Sequence, residues 1–357
     1  MDGAEEIYLM EHPDSTEEIP VLDIAPYIAG EPGSRELLGT RLREISETVG
    51  FFYLIGHGVP QGAIDQAFAQ SRRLHESPLE VRRTMPKFDR TGYQGVEDRQ
   101  TLAATQKPSL NSTINIVQER SPGHPKLDPS KPFRRPNVWP HWLDGFKEGA
   151  LEYQGILHGL AKKMLPLWAA ALELPADYFD AAFADPHIIM SMVYYPPQKE
   201  IGNRRYGIPP HTDNCFMTIL AQGNVPGLAV QMPSGHWRIA DVIPGTFVVN
   251  SGNTMVRFTN GRFKSTRHRV INTNEVDRYS IPFFVAPDLD AMVECVPTCV
   301  TPDRPAEYPP IRYEDFYYWY QYSEGVRGFE KKSAGPGSKS EELWLAPEDT
   351  KAGSSAS

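Results

Sequence analysis

The chain of 357 residues is poor in cysteine, in net positive charge and in long apolar runs, and each shortage excludes a class of protein. Its three cysteines, Cys215, Cys295 and Cys299, are too few for a disulfide framework. No apolar stretch is long enough to span a bilayer, and the acidic first residues lack the basic-then-apolar order of a secretory signal. The net charge of −9 argues against a nucleic-acid partner. We therefore expect a cytoplasmic protein with neither a membrane nor a nucleic-acid partner.

Short apolar runs, separated by Gly, Pro and Asn, fill the second half of the chain. Runs this short and frequent predict a β-sandwich or jelly roll, and the 33 prolines favour many loops and edge strands. Apolar residues at helical spacing precede this half and predict flanking helices, the first with Ser34 as its N-cap. The predicted strands are 187–195, 214–221, 227–231, 236–241, 246–250, 262–271 and 278–286.

Two histidines and one aspartate in this strand-rich half are candidate metal ligands. His211 and Asp213 are two positions apart, so in a strand both side chains point to the same side. His268 lies on a later predicted strand, which a jelly roll can place opposite the first. A ligand set of two histidines and one carboxylate suits a ferrous ion with three positions left open. For His268 the alternative is an ordinary basic surface strand.

Arg278 is the candidate site for an acidic co-substrate. Its guanidinium is planar, keeps its charge at any working pH and can grip a carboxylate through two parallel hydrogen bonds. Ser280 faces the same way two residues later, within an otherwise apolar strand where an unpaired arginine would be costly. Tyr195 is a third candidate for the same carboxylate, with core packing as the alternative. The pattern indicates an inward arginine that binds an anion.

These motifs resemble those of the iron(II)/2-oxoglutarate-dependent dioxygenases of the isopenicillin N synthase-like superfamily. The resemblance runs from Ile19 to about Tyr320. The matching segments are Gly50-Phe-Phe-Tyr-Leu-Ile-Gly-His-Gly-Val-Pro60, Tyr194-Tyr-Pro-Pro197, Pro210-His-Thr-Asp213, Gly227-Leu-Ala-Val230, Val249-Asn-Ser-Gly252, His268-Arg-Val270 and Arg278-x-Ser280.

The resemblance implies a fold that is mainly β with flanking helices around a distorted double-stranded β-helix, or jelly roll. It implies Fe(II) held by His211, Asp213 and His268, and 2-oxoglutarate held by Arg278 and Ser280, for which Tyr195 stays the third candidate. O2 is the second co-substrate, and ascorbate is an aid in vitro. The expected substrate contacts are Tyr93, Asn111, Thr113, Asn115 and Phe284.

The implied activity is oxidation of an unactivated C–H bond in a small molecule of specialised metabolism, with release of succinate and CO2. The outcome is hydroxylation, or alternatively desaturation or cyclisation. We expect a monomer or a weak homo-oligomer. The expected organisation is a flexible N-terminus at 1–18, a helical and strand region at 19–185, the Fe(II)/2-oxoglutarate jelly-roll core at 186–300, a C-terminal helix packed on that core at 301–330 and a disordered tail at 331–357.

One departure from the family pattern leaves alternatives open. Val193 stands where many members have an asparagine, two residues before Tyr195. The first alternative is therefore an oxidase like isopenicillin N synthase or aminocyclopropane-carboxylate oxidase, which uses the same metal ligands without 2-oxoglutarate. The second alternative is a non-catalytic protein that binds a metal or a ligand.

Overall fold

The computed structural model describes residues 17–86, 91–96, 109–197, 206–271 and 275–322. The predicted tail at 331–357 and nearly all of the predicted flexible N-terminus at 1–18 lie outside these residues. None of the described helices is both long and apolar enough to cross a membrane. The helices are α1 (Ala25–Ile28), α2 (Ser34–Thr48), α3 (Gln61–Glu76), α4 (Leu79–Arg82), α5 (Phe146–Ala171), α6 (Asn253–Phe258) and α7 (Tyr313–Tyr322).

The strands form two large sheets and one small ribbon. They are β1 (Val21–Asp23), β2 (Phe51–Ile55), β3 (Gly92–Gln94), β4 (Ser112–Val117), β5 (His187–Tyr195), β6 (Ile208–His211), β7 (Met217–Gln222), β8 (Leu228–Gln231), β9 (Trp237–Ile239), β10 (Phe247–Ser251), β11 (His268–Val270), β12 (Arg278–Ala286), β13 (Met292–Val293) and β14 (Ile311–Arg312). The larger sheet has the order β1-β2-β10-β7-β12-β5-β4-β3, the smaller one β6-β11-β8-β9, and β13 pairs with β14.

The two large sheets face each other. Val193 and Tyr195 of β5 pack against Val270 of β11 and Ile208 of β6, so this face of the larger sheet is turned toward the smaller sheet. We call it the inner face. The predicted fold, mainly β with flanking helices and a jelly-roll core, is confirmed. Strands from both 19–185 and 186–300 belong to the larger sheet, and the division of the chain into regions stays a prediction.

Helices cover the outer face of the larger sheet. Helix α5 is apolar on most sides and buries Trp168 completely, because it lies between the sheet and helices α2 and α3. Helix α2 has Gly33, in the left-handed conformation, as its N-cap. Ser34 is the first helical residue instead, so its prediction as the N-cap was wrong; its hydroxyl donates to the carbonyl oxygen of Glu31 at 2.6 Å.

Two strands near the site were missed in the sequence. Strand β6 contains Pro209 and Pro210, a composition typical of a loop, but it is the edge strand of the smaller sheet, where proline is tolerated. Strand β4 lies in a stretch, residues 84–145, whose many prolines are typical of irregular structure. Its Ile114 and Ile116 nevertheless join the core with the helices, and Thr113 and Asn115 alternate with them on the opposite face, as in a strand.

Candidate metal and co-substrate site

The three predicted metal ligands meet between the two sheets. The candidate ligand atoms of His211, Asp213 and His268 all lie within 4.8 Å of one another. Asp213 Oδ1 is 3.8 Å from His211 Nε2 and 3.6 Å from His268 Nε2. Strands β6 and β11 are neighbours in which His211 and His268 are direct register partners. The pairing of two strands that are distant in sequence therefore creates the cluster.

Hydrogen bonds orient both imidazole rings for metal binding. Nδ1 of His211 lies 2.8 Å from the carbonyl oxygen of Pro209, and Nδ1 of His268 lies 3.1 Å from that of Thr266. A carbonyl oxygen only accepts, so each Nδ1 carries a proton, and in the neutral form of each ring Nε2 presents its lone pair to the centre of the cluster. Phe51 packs its ring against that of His268 at 5.2 Å between centroids. Both rings therefore have the tautomer that a metal ligand needs.

Hydrogen bonds leave one carboxylate oxygen of Asp213 facing the metal cluster. Its Oδ2 accepts hydrogen bonds from Thr218 Oγ1 at 2.5 Å and from Asn250 Nδ2 at 2.9 Å, which leaves Oδ1 toward the histidines. Burial alone would raise the pKa of Asp213, but His268, His211 and the two hydrogen-bond donors more than offset it, so the pKa is lowered. The carboxylate is thus ionised, as a metal ligand requires. The roles of Thr218 and Asn250 had not been predicted.

Cys215 lies among the polar side chains around Asp213 but is not one of the candidate metal ligands. Its Sγ lies 3.2 Å from Thr218 Oγ1. Burial raises the pKa of the Cys215 thiol well above its usual value, with Asp213 adding to the rise. A neutral thiol is a poor metal ligand.

Helix α7 also reaches the site, because Tyr320 donates its hydroxyl to the carbonyl oxygen of Thr212 at 2.9 Å, and Thr212 lies between the ligands His211 and Asp213.

Arg278 is a buried cation on the inner face. Its side chain is only 1% exposed, and its Nε and Nη1 have no hydrogen-bond partner within the described residues. Burial lowers the pKa of Arg278 while Tyr195 opposes the shift, but a guanidinium stays charged in proteins. The guanidinium carbon lies 4.7 Å from the ring centre of Tyr195, and Gly227 leaves room for it, since a Cβ there would be 2.8 Å from Nε. An uncompensated buried cation of this kind fits an anionic ligand.

Ser280 and Tyr195 share the face of Arg278. Strands β12 and β5 pair Arg278 with Tyr195 and Ser280 with Val193, and side chains paired across strands lie on one face. Both Ser280 and Tyr195 are buried. The structure therefore brings together all three residues predicted for the co-substrate carboxylate, at one end of the space that holds the metal cluster.

The predicted substrate contacts divide between the two faces of the larger sheet. Thr113 and Asn115 are paired with Val193 and Ser191, so they lie on the inner face. Phe284 is also on this face, opposite Thr218. Asn111 donates from Nδ2 to the carbonyl oxygen of Gly207 at 2.5 Å, a contact that ties β4 to the approach to β6.

Tyr93 is not brought to the site. It is paired with Ile114, which packs against the helices on the outer face, and its hydroxyl accepts a hydrogen bond from Arg82 at 2.6 Å. The structure thus separates Tyr93 from the metal cluster by the larger sheet, and its contact with substrate stays a prediction. The register of β3 against β4 decides which face Tyr93 occupies, and the sequence of β3 alone does not show that register.

Comparison with known proteins places this geometry in a family. The 2OG-Fe(II) oxygenase superfamily matches residues 186–287, and the N-terminal family described as non-haem dioxygenase in morphine synthesis matches residues 19–142. The chain is 33% identical to the 2-oxoglutarate-Fe(II) type oxidoreductase hxnY of Emericella nidulans, over 88% of this chain and 90% of that relative. The chain belongs to the 2-oxoglutarate/iron(II) oxygenase superfamily. It is a non-haem dioxygenase that uses Fe(II) and 2-oxoglutarate.

Solved structures agree with this membership of the oxygenase superfamily. The dioxygenase for auxin oxidation in rice is 27% identical, with a TM-score of 0.65 over 85% of this chain and 95% of that one. A full-length Neurospora crassa protein, solved in complex with alpha-KG and thymine, has a TM-score of 0.76 over 87% of this chain and 98% of that chain; at 24% identity it supports the fold. The family match and the relative hxnY favour a 2-oxoglutarate-dependent oxygenase over both alternatives, which were an oxidase without 2-oxoglutarate and a non-catalytic protein.

Proposed function

We propose that His211 and His268 bind Fe(II) through Nε2 and Asp213 through Oδ1, and that Arg278 binds the distal carboxylate of 2-oxoglutarate. The assignment of Arg278 rests on its buried guanidinium on the inner face, two nitrogens of which have no hydrogen-bond partner among the residues that the structure describes. Two nitrogen donors and one carboxylate oxygen also suit Fe(II), because they leave three positions for ligands other than protein. Ser280 donates a hydroxyl to the same carboxylate.

The chain's own residues orient the reactants and exclude water. Fe(II) and 2-oxoglutarate together supply O2 activation, with oxidative decarboxylation to succinate and CO2, and the oxidising power that attacks a substrate C–H bond. Arg278 fixes one end of 2-oxoglutarate so that its other end meets the metal cluster. Val193, Ile208 and Val270 cluster with Tyr195 between the two sheets, and this apolar lining helps to keep water away from the co-substrate. Asp213, held by two donors, presents one oxygen rather than two.

We propose a small molecule as the substrate, oxidised at an unactivated C–H bond. Two structural neighbours support this class of substrate: one was solved in complex with thymine, and the other is named for auxin oxidation. The inner-face positions of Thr113, Asn115 and Phe284 make these residues the candidate contacts, with Asn111 as a support for the same wall. A nucleic-acid partner is disfavoured by the net charge of −9. The cytoplasmic location and the monomer or weak homo-oligomer stay predictions.

The assignment of Arg278 is tested by anaerobic binding of 2-oxoglutarate to the Fe(II)-loaded protein. The wild-type complex should show a weak metal-to-ligand charge-transfer band in the visible, and succinate should form when O2 and substrate are added. Replacing Arg278→Ala should weaken 2-oxoglutarate binding by about 30- to 5,000-fold, because a lost charge-assisted contact costs about 2–5 kcal/mol. Arg278→Lys should restore only part of the affinity, since an ammonium cannot make the paired contact.

Two controls separate the co-substrate from the metal. Iron binding, measured without 2-oxoglutarate, should be the same in the Arg278 variants and the wild type, and should be lost in His268→Ala. Tyr195→Phe should weaken 2-oxoglutarate binding by about 12- to 160-fold, the range for one hydrogen bond to a charged group. Substrate turnover that continues at full rate without 2-oxoglutarate would refute the co-substrate assignment. Tight stoichiometric iron in His268→Ala would refute the ligand assignment.

A further inference from the structure

Asn115 and Ser191 form a hydrogen-bonded pair beside the candidate site, which we call the amide pair. They are direct register partners in β4 and β5, and Ser191 Oγ donates to Asn115 Oδ1 at 2.6 Å. Ser191 is buried, whereas Asn115 is half-buried. The hydroxyl therefore holds the amide of Asn115 in one orientation while the amide remains accessible from one side.

The amide pair faces the space between the sheets. Val193 and Tyr195, two and four positions after Ser191, pack against the smaller sheet, and alternation along β5 gives Ser191 the same direction. On β4, the neighbours of Asn115 point the other way: Ile114 and Ile116 pack among the helices. The amide pair is thus on the inner face with the metal cluster and Arg278.

The position of the amide pair matches the far end of a small substrate. On the inner face, Phe284 of β12 lies opposite Thr218 of β7, whose hydroxyl donates to the metal ligand Asp213. Asn115 is two strands from β12 and three strands from β7, or about 10 Å and about 14 Å at the usual spacing between strands. A molecule of one or two rings, held at Asn115, therefore extends across β5 toward the metal cluster.

The free groups of the amide pair determine which ligand complements it. With Oδ1 accepting from Ser191, no other described residue uses the second lone pair of Oδ1 or the two protons of Nδ2, which leaves them for a ligand. A side-chain amide presents a donor and an acceptor side by side, as when asparagine binds the edge of adenine through two hydrogen bonds. The ligand group that complements the Asn115 amide is one whose N–H and C=O point the same way. A small ring that contains an amide bond has this arrangement.

The surrounding charges favour a neutral ligand. Among the described inner-face residues of β4, β5 and β12, Arg278 alone carries a fixed charge, and the proposed function assigns it to 2-oxoglutarate. A carboxylate or ammonium on the substrate would need a counter-charge to offset its desolvation. Thr113, next to the amide pair on this face, adds a hydroxyl that serves a neutral polar group equally well.

We propose that the substrate is an uncharged cyclic amide, read by Asn115 through paired hydrogen bonds to its N–H and C=O. This inference rests on the proposed function, because it assumes that 2-oxoglutarate occupies Arg278. It names Asn115 as the residue that determines specificity and Ser191 as the residue that positions it.

Binding to the Mn(II)·2-oxoglutarate form, which is not expected to turn over, tests the inference by calorimetry. The probes are 2-pyridone, 2-piperidone and uracil, each compared with its N-methylated form, which keeps the carbonyl but lacks the N–H. At least one parent amide should bind about tenfold or more tightly than its N-methylated form, the loss expected for one or two hydrogen bonds. In Asn115→Leu this preference should disappear, and Asn115→Asp, which lacks the donor, should also abolish it.

The affinity of each variant for 2-oxoglutarate is measured first and should equal that of the wild type. A wild-type protein that fails to bind 2-oxoglutarate would refute the proposed function itself. If 2-oxoglutarate binds normally, the inference about the substrate is overturned by either of two results. One is that no cyclic amide binds better than its N-methylated form, and the other is that the preference survives in Asn115→Leu.

Discussion

The buried histidine of helix α3, His75, should make the stability of the fold depend on pH. Its Nε2 donates to the carbonyl oxygen of Met192 at 3.2 Å, and its Nδ1 lies 3.1 Å from the hydroxyl of Ser112. The ring stacks on Tyr194 with 5.4 Å between centroids. Burial lowers the pKa of His75 to about 3, with the hydrogen bond to Met192 opposing the shift and nearby Arg82 adding to it. Both ring nitrogens of His75 are therefore hydrogen-bonded while the ring is neutral.

The size of the effect follows from the two pKa values of His75. In the unfolded chain the pKa is about 6.5, so above that pH neither state binds the proton and His75 has no effect on stability. Below pH 6.5 only the unfolded state takes up the proton, and the free energy of unfolding falls by about 1.4 kcal/mol per pH unit. The fall ends near pH 3, where the folded state is protonated too. At pH 5 the loss is about 2 kcal/mol.

Urea unfolding of the metal-free protein at pH 8 and pH 5 measures this loss. Other titrating groups affect the wild type and His75→Gln alike, so the difference between the two proteins isolates His75. That difference should shift by about 2 kcal/mol in favour of His75→Gln on going to pH 5. Ser112→Ala is the matched control and should keep the wild-type pH dependence, because burial and not the hydroxyl shifts the pKa. A difference that is the same at both pH values would refute the reasoning.

Three further predictions concern other contacts. Thr218→Val removes a hydrogen bond to Asp213, so anaerobic titration should show about 10- to 100-fold weaker iron binding, with unchanged affinity contradicting the role. Tyr320→Phe should weaken iron by about 2- to 12-fold in the same titration, because the ligand segment loses one hydrogen bond. Gly39→Ala places a methyl 2.6 Å from a side-chain carbon of α5 and should cost about 1–3 kcal/mol in urea unfolding, whereas Gly155→Ala, with open space around it, should be neutral or stabilising.

The residues of the candidate metal cluster could be named from the sequence, because the chemistry of each is local. His211 and Asp213 are two positions apart; strand β6 ends at His211, so Asp213 follows the strand instead of lying in it, but the short spacing still brings both side chains to one cluster. Arg278 could be singled out for a similar reason, since a cation inside an apolar strand needs an anion wherever the strand lies. The amino acid types, their order along the chain and the resemblance to the oxygenase family carried these predictions.

Tertiary structure decided everything that depends on how strands pair. Alternation shows that Thr113 and Asn115 share a face, but only the pairing of β4 with β5 turns that face toward the metal cluster. The same register turns Tyr93 toward the helices, where it contacts Arg82. A shift of one residue would exchange the two faces, and no residue within the strand indicates which register is adopted.

The hydrogen bonds that hold the metal-ligand segment in place could not be predicted from the sequence either. Thr218 and Asn250 come from different strands, and they meet at Asp213 because β7 and β10 are neighbours in the larger sheet. Tyr320 reaches Thr212 from a helix more than a hundred positions away. The sequence by itself thus determined which side chains have the chemistry of an iron and 2-oxoglutarate site. Only the folded chain decided which neutral side chains orient them, because hydrogen bonds act over about 3 Å and depend on which strands and helices become neighbours.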